Sequence, residues 1–74
     1  MGVTTAQVKL AMMYEYGRGV FQDYVSAYMW YSLVAAQGHK IATERRDIIE
    51  KKMTPSQIEK AQQITREWLE KHRG

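Results

Sequence analysis

The sequence predicts an all-α fold in which four helices form two antiparallel hairpins. Apolar residues recur at helical spacing in four segments, and breaks containing glycine or proline separate these segments. No segment alternates apolar and polar residues with the period of a β-strand. With 74 residues, of which 45% are hydrophobic and 26% are charged, the chain has the composition of one ordered domain, residues 1–74.

The first helix is predicted over residues 5–16. Thr4 and Gln7 have the spacing of a capping box, and apolar residues then share one face of the helix. That predicted core face consists of Ala6, Leu10, Met13 and Tyr14. Gly17 and Gly19 should end the helix, because glycine adopts a positive φ without a Cβ clash.

The second helix is predicted over residues 24–37, with Asp23 as its N-cap and Gly38 after its end. Most of its apolar residues lie on one face, but Trp30 and Leu33 lie on another. A helix that is apolar over most of its circumference is packed between neighbours. We therefore expect the second helix to contact other helices on more than one side.

The third and fourth helices are predicted over residues 39–52 and from Pro55 to about Lys71. Thr54 and Gln57 form a second capping-box pattern, with proline at the first helical position. The third helix should turn Ile41, Ala42, Ile48 and Ile49 inward. The apolar stripe of the fourth helix should pack on the third helix, and it consists of Ile58, Ala61, Ile64, Thr65, Trp68 and Leu69.

A string of residues in the first half of the chain carries a family resemblance. It reads Ala6, Leu10, Tyr14, Gly17-Arg18-Gly19-Val20, Asp23, Ala27, Trp30-Tyr31, Ala35-Ala36 and Gly38. In order and spacing, this string resembles one full unit of the Sel-one-like repeat (SLR) family, α-solenoid relatives of the tetratricopeptide repeats. The resemblance covers about residues 6–41. It implies a short right-handed α-solenoid fragment, with a full repeat at 5–38 and a degenerate repeat and cap at 39–72.

Two positions depart from the family pattern. Ala11 stands where a glycine usually permits the paired helix to approach closely, and alanine is the mildest replacement. In the second unit, Arg46 falls where Leu10 sits in the first, and no Gly-x-Gly loop follows. This difference favours a capping role for the second unit.

The resemblance implies a non-enzymatic adaptor or scaffold that binds a protein or peptide. Repeat proteins of this kind use a concave face lined by the first helix of each hairpin. The candidate contact residues are Val8, Met12, Glu15, Tyr16, Glu44 and Ile48. An uncovered first hairpin would also expose Val8, Met12 or Trp30, which favours self-association as a homodimer.

The sequence offers no pattern for catalysis or for a cofactor. The absence of cysteine excludes disulfides and thiolate zinc sites. His39 and His72 lack metal-site spacing, and Gly17-Arg18-Gly19 is followed by Gln22 where a phosphate loop requires glycine. We therefore expect no enzyme activity, metal, cofactor or small-molecule substrate.

The net charge of +3 comes from the second half of the chain. Residues 40–74 contain nine basic and six acidic side chains, and these are interleaved. A small basic nucleic-acid-binding protein is the alternative function, and a salt-dependent shift with DNA or RNA would support it. The expectation is nevertheless no nucleic acid and no membrane partner.

No signal peptide or membrane span is recognisable, so a soluble chain is expected, either cytoplasmic or, as part of a longer precursor, periplasmic.

Overall fold

The computed structural model describes residues 2–72, which form four α-helices. They are α1 (Gly2–Tyr16), α2 (Tyr24–Ala35), α3 (Lys40–Glu50) and α4 (Pro55–Lys71). Residues 2–72 contain no β-strand. The predicted all-α fold is confirmed, although α2 and α3 each end two residues earlier than expected.

The loop between α1 and α2 has the expected glycine geometry. Gly17 and Gly19 have φ angles of +68° and +77°. The N–H of Arg18 donates to the carbonyl oxygen of Met13 at 3.0 Å, which closes the end of α1 as in a Schellman motif. The Asp23 carboxylate then accepts from the first N–H groups of α2, so its predicted role as N-cap is confirmed.

The start of α4 follows the sequence prediction, whereas the start of α1 does not. Thr54 and Gln57 exchange side-chain and backbone hydrogen bonds in a complete capping box. The predicted box of Thr4 and Gln7 is wrong, because α1 already includes Thr4. The Thr4 hydroxyl instead donates to Oε1 of Gln37, beyond the end of α2, at 3.0 Å.

The helix α2 is the centre of the molecule, as its apolar circumference predicted. It packs against α1, α3 and α4, and Tyr31 and Val34 are fully buried. The connected core contains Ala11, Ala27, Tyr28, Tyr31, Val34, Ala42, Ile49, Met53 and Ala61. Three helices therefore share one core around α2.

The helix α4 packs mainly on α2 and makes few contacts with α3. The indole rings of Trp30 and Trp68 meet edge to face, with their centroids 6.0 Å apart. The prediction that the α4 stripe packs on the third helix is therefore wrong. An apolar stripe indicates that a helix has a packed side, but its period does not identify the neighbour.

The buried face of α1 is rotated from the predicted face. Ala11 and Glu15 are buried, and Val8 packs against the core, whereas Ala6 is exposed. Positions i, i+3 and i+7 share one side of a helix, so Val8, Ala11 and Glu15 form a single buried stripe. Small Ala11 lies at the centre of that stripe and has no exposed surface.

The helix α3 buries only part of its apolar content. Ala42 and Ile49 are in the core as predicted. Ile41 and Ile48 are 58% and 45% exposed, so their predicted inward position is wrong.

No helix within residues 2–72 combines the length and apolarity needed to cross a bilayer.

Candidate binding surface on α1 and α3

A hydrogen bond between side chains joins α1 to α3 on one side of the molecule. Nη1 of Arg45 donates to the Tyr16 hydroxyl at 2.9 Å. The guanidinium carbon of Arg18 also lies 6.0 Å from the centroid of the Tyr16 ring, within the range of a cation–π interaction. Tyr16 is therefore held by two cations, yet 48% of its surface remains exposed.

Met12 lies one helical turn before Tyr16 and extends the exposed apolar surface of α1. Its side chain is 40% exposed. A depression of about 430 Å³ is lined by Lys9, Met12, Met13, Tyr16 and Arg18. Flexible methionine side chains adapt to the shape of a partner. The aromatic ring of Tyr16 adds a large, rigid contact area.

A second depression lies on α3, with a volume of about 590 Å³. It is lined by Ile41, Glu44, Arg45, Asp47 and Ile48. Arg45 lines this depression and also bonds to Tyr16, so the two depressions adjoin. We call the combined area the α1–α3 surface, and it consists of Met12, Tyr16, Ile41, Glu44, Arg45 and Ile48.

The six predicted contact residues divide into two groups. Met12, Tyr16, Glu44 and Ile48 are exposed and belong to the α1–α3 surface. Val8 and Glu15 do not, because they lie in the interface of α1 with α2. The expectation that these two residues point away from the core is wrong.

Glu15 is buried because it has a partner on α2. The hydroxyl of Tyr31 donates to Oε1 of Glu15 at 2.8 Å, and Nε2 of Gln22 donates to the Glu15 backbone oxygen at 2.9 Å. A buried carboxylate requires hydrogen bonds of this kind to offset the loss of water. Glu15 is therefore a structural residue of the α1–α2 interface and is closed to a partner protein.

Sequence reasoning missed Ile41 and Arg45 as members of the α1–α3 surface. Ile41 fits the apolar period of α3 and was assigned to the core on that basis. Arg45 was not singled out among the interleaved charges of the second half, because its bond to Tyr16 spans 29 positions and has no local signal. The position of Ala11 could have corrected the register of α1, since it stands where the family pattern has a glycine that permits close approach of the paired helix.

The described residues show no grouping typical of a metal centre. Within residues 2–72, no cluster of three or more His, Cys, Asp or Glu side chains could hold an ion. The chemistry available on the α1–α3 surface is apolar contact, with both signs of charge beside it.

Comparison with known proteins points to a repeat architecture. Residues 4–39 match the sequence model of the Sel1 repeat, the unit of the Sel-one-like family. A similar solved structure is that of a protective antigen present in uropathogenic Escherichia coli strains, which displays an SLR fold. The two chains are 37% identical and superpose with a TM-score of 0.83. Among the curated proteins, none matches this chain.

The structural match covers 90% of this chain and 15% of the antigen. This chain thus spans about one seventh of the antigen's length. The likeness extends through most of the present chain, including the segment after the matched repeat.

Proposed function

Because the chain is a Sel1-like repeat protein, we propose that it is a non-enzymatic interaction module that binds a protein or peptide on its α1–α3 surface. Repeats of this family are generally protein–protein interaction modules. The observation that carries the proposal is the bond of Arg45 to Tyr16, which unites two exposed apolar areas on α1 and α3. In this proposal, residues 39–72 act as the closing unit and also supply half of the surface.

The arrangement of Tyr16 supports this proposal. A tyrosine that is already fixed by Arg45 and Arg18 loses little side-chain entropy when a partner covers its ring. Tyrosine, methionine and arginine are also enriched in protein interfaces. Tyr16 is therefore the residue that we expect to contribute most to binding.

The charges around the apolar residues favour a mixed-charge peptide. Lys9 and Arg18 line the depression on α1, whereas two acidic residues, Glu44 and Asp47, line the one on α3. The one basic residue there, Arg45, is bonded to Tyr16. A peptide with acidic residues toward α1 and basic residues toward α3 would complement both. Such complementarity would set the orientation of the bound peptide.

Selection from a peptide-display library, followed by titration calorimetry, tests the proposal. Tyr16→Ala and Met12→Ala should each weaken binding of the selected peptide, Tyr16→Ala by about tenfold. Leu69→Ala is the matched control, because Leu69 on α4 is 46% exposed and lies outside the α1–α3 surface. Equal affinities of wild type and Tyr16→Ala, with helicity unchanged by circular dichroism, would contradict the proposal.

A second copy of the chain is the competing occupant of the same surface. The homodimer predicted from the sequence assumed exposed Val8 and Trp30, but both are half-buried against the core. Met12 remains as an exposed apolar contact for self-association. Light scattering over a concentration series distinguishes the two cases, since a dimer that Tyr16→Ala dissociates would identify the second copy as the occupant.

A further inference from the structure

An open cleft lies between α3 and α4, above α2. Both helices pack on α2 but make few contacts with each other, so the space between them is not filled. The cleft has a volume of about 250 Å³. It is lined by Tyr28 and Ser32 from α2, Arg46 from α3, and Gln62, Thr65 and Arg66 from α4. None of these residues lines the depressions of the α1–α3 surface.

Ser32 gives the cleft a polar group without a partner. Its Oγ atom is buried, and no hydrogen-bond partner for it is present in residues 2–72. The neighbouring Thr65 differs, because its hydroxyl donates to the carbonyl oxygen of Ala61 at 2.7 Å. Native proteins rarely leave a buried hydroxyl unpaired, and no protein group within residues 2–72 uses the Ser32 hydroxyl.

The remaining polar groups of the cleft mainly offer donors. Arg46 and Arg66 line the cleft from two different helices, and no acidic side chain of residues 2–72 lines it. The amide Nε2 of Gln62 makes only a long contact of 3.5 Å, to the Tyr28 hydroxyl. Side chains that carry hydrogen-bond donors therefore line the cleft from three helices.

Two carboxylates lie beside the cleft and partly balance this charge. Oδ1 of Asp47 is 3.7 Å from Nε of Arg46, and Oε1 of Glu50 accepts from the Tyr28 hydroxyl at 3.2 Å. The first contact is long and involves only Nε, which leaves the Nη groups of Arg46 able to turn to a ligand. Arg66 has no ion pair with any described residue.

We propose that this cleft binds one oxyanion group, a carboxylate or a phosphate. The guanidinium groups of Arg46 and Arg66 hold its oxygens from two sides, and the Ser32 hydroxyl donates to it from the floor. The cleft volume of about 250 Å³ accommodates one oxyanion group. Binding at this position would link α3 to α4, which otherwise depend on α2 for their relative placement.

Amide and guanidinium nuclear magnetic resonance titrations test the proposal. One arm adds inorganic phosphate and the other adds N-acetyl-glutamate amide, with ionic strength held constant by sodium chloride. We expect saturable shifts at Ser32, Gln62 and the Nε–H groups of Arg46 and Arg66 in at least one arm. Saturation by phosphate alone would assign the cleft to phosphate groups, and saturation by the glutamate probe alone would assign it to acidic side chains. Linear shifts in both arms would overturn the proposal.

Variants localise the effect to the cleft. Arg66→Gln should weaken binding by about tenfold, because it removes one charge-assisted contact. Ser32→Ala removes only a hydroxyl that lacks a partner, so this variant should fold normally and bind the anion more weakly. Arg18→Gln is the matched control, since Arg18 lines the depression on α1 and not the cleft. Equal affinities of wild type, Ser32→Ala and Arg66→Gln would overturn the assignment.

Discussion

The hydroxyl of Tyr31 donates to the Glu15 carboxylate at 2.8 Å across the interface of α1 and α2. Both side chains are buried, and Tyr31 is among the largest fully buried side chains of the described residues. This hydrogen bond fixes the rotation of α1 about its own axis. The same rotation leaves Met12 and Tyr16 exposed on the flank of the buried stripe.

Tyr31→Phe should lower the free energy of unfolding by about 1–3 kcal/mol. The substitution keeps the ring but leaves the buried Glu15 carboxylate without its donor. Urea unfolding followed by circular dichroism measures the change. Tyr14→Phe is the control, because Tyr14 is half-buried and its hydroxyl makes no hydrogen bond within residues 2–72. Equal stabilities of the two variants would show that the Tyr31 bond contributes nothing.

Alkaline pH should destabilise the wild type more than Tyr31→Phe. Burial raises the pKa of the Tyr31 phenol above its usual value, and the hydrogen bond to Glu15 raises it further. Above the unfolded pKa of about 10, the unfolded chain loses this proton while the folded chain retains it, so rising pH favours unfolding. Below that pH both states keep the proton, so the contribution of the Tyr31 hydroxyl to the free energy of unfolding is fully present. Urea midpoints from pH 8 to 11 should fall more steeply for the wild type, and parallel curves would contradict this prediction.

Gly17→Ala should destabilise the fold more than Gly38→Ala. Both glycines have positive φ, +68° and +88°, so each alanine carries backbone strain of about 1–2 kcal/mol. A Cβ at Gly17 would also lie 3.3 Å from Cβ of Gln22, whereas at Gly38 no described atom lies within 4 Å. Thermal unfolding of both variants measures the difference. A smaller loss of stability in Gly17→Ala than in Gly38→Ala would contradict the prediction and would show that the α1–α2 loop relaxes around the added Cβ.

Trp68→Ala should weaken the docking of α4 on α2 by about 2 kcal/mol or more. Trp68 is half-buried and packs edge to face with Trp30, so the substitution removes both burial and the aromatic contact. Leu69→Ala is the control from the same helix, because Leu69 is 46% exposed. Urea unfolding should show a clear loss only for Trp68→Ala. Equal losses would contradict the docking of α4 through Trp68.

The helix boundaries and their end signals could be predicted from sequence because they depend on local interactions. Gly17, Asp23 and Thr54 act on backbone groups within a few residues, so their patterns are visible in a short window. Even here His39 was missed as a cap. Its Nδ1 accepts from the N–H of Ala42 at 3.2 Å, a role in which histidine is uncommon.

The side of each helix that faces the core was less predictable, because it depends on residues far away in the sequence. Glu15 was expected to contact a partner, and its bond to Tyr31 explains why it is buried instead. Ile48 fits the apolar period of α3 yet lies at the surface, where periodicity cannot distinguish a binding residue from a core residue. The candidate surface was therefore predicted in part, with four of its members named and Val8 and Glu15 misplaced.

Mapping the position of a selected peptide tests the central claim most directly. Amide chemical shifts of the labelled chain would be recorded during titration with the peptide. The account predicts that the largest shifts cluster at Met12 and Tyr16 on α1 and at Glu44 and Ile48 on α3, and that Tyr16→Ala abolishes them. Saturable shifts confined to α2 and α4, and unchanged by Tyr16→Ala, would contradict the proposed binding surface.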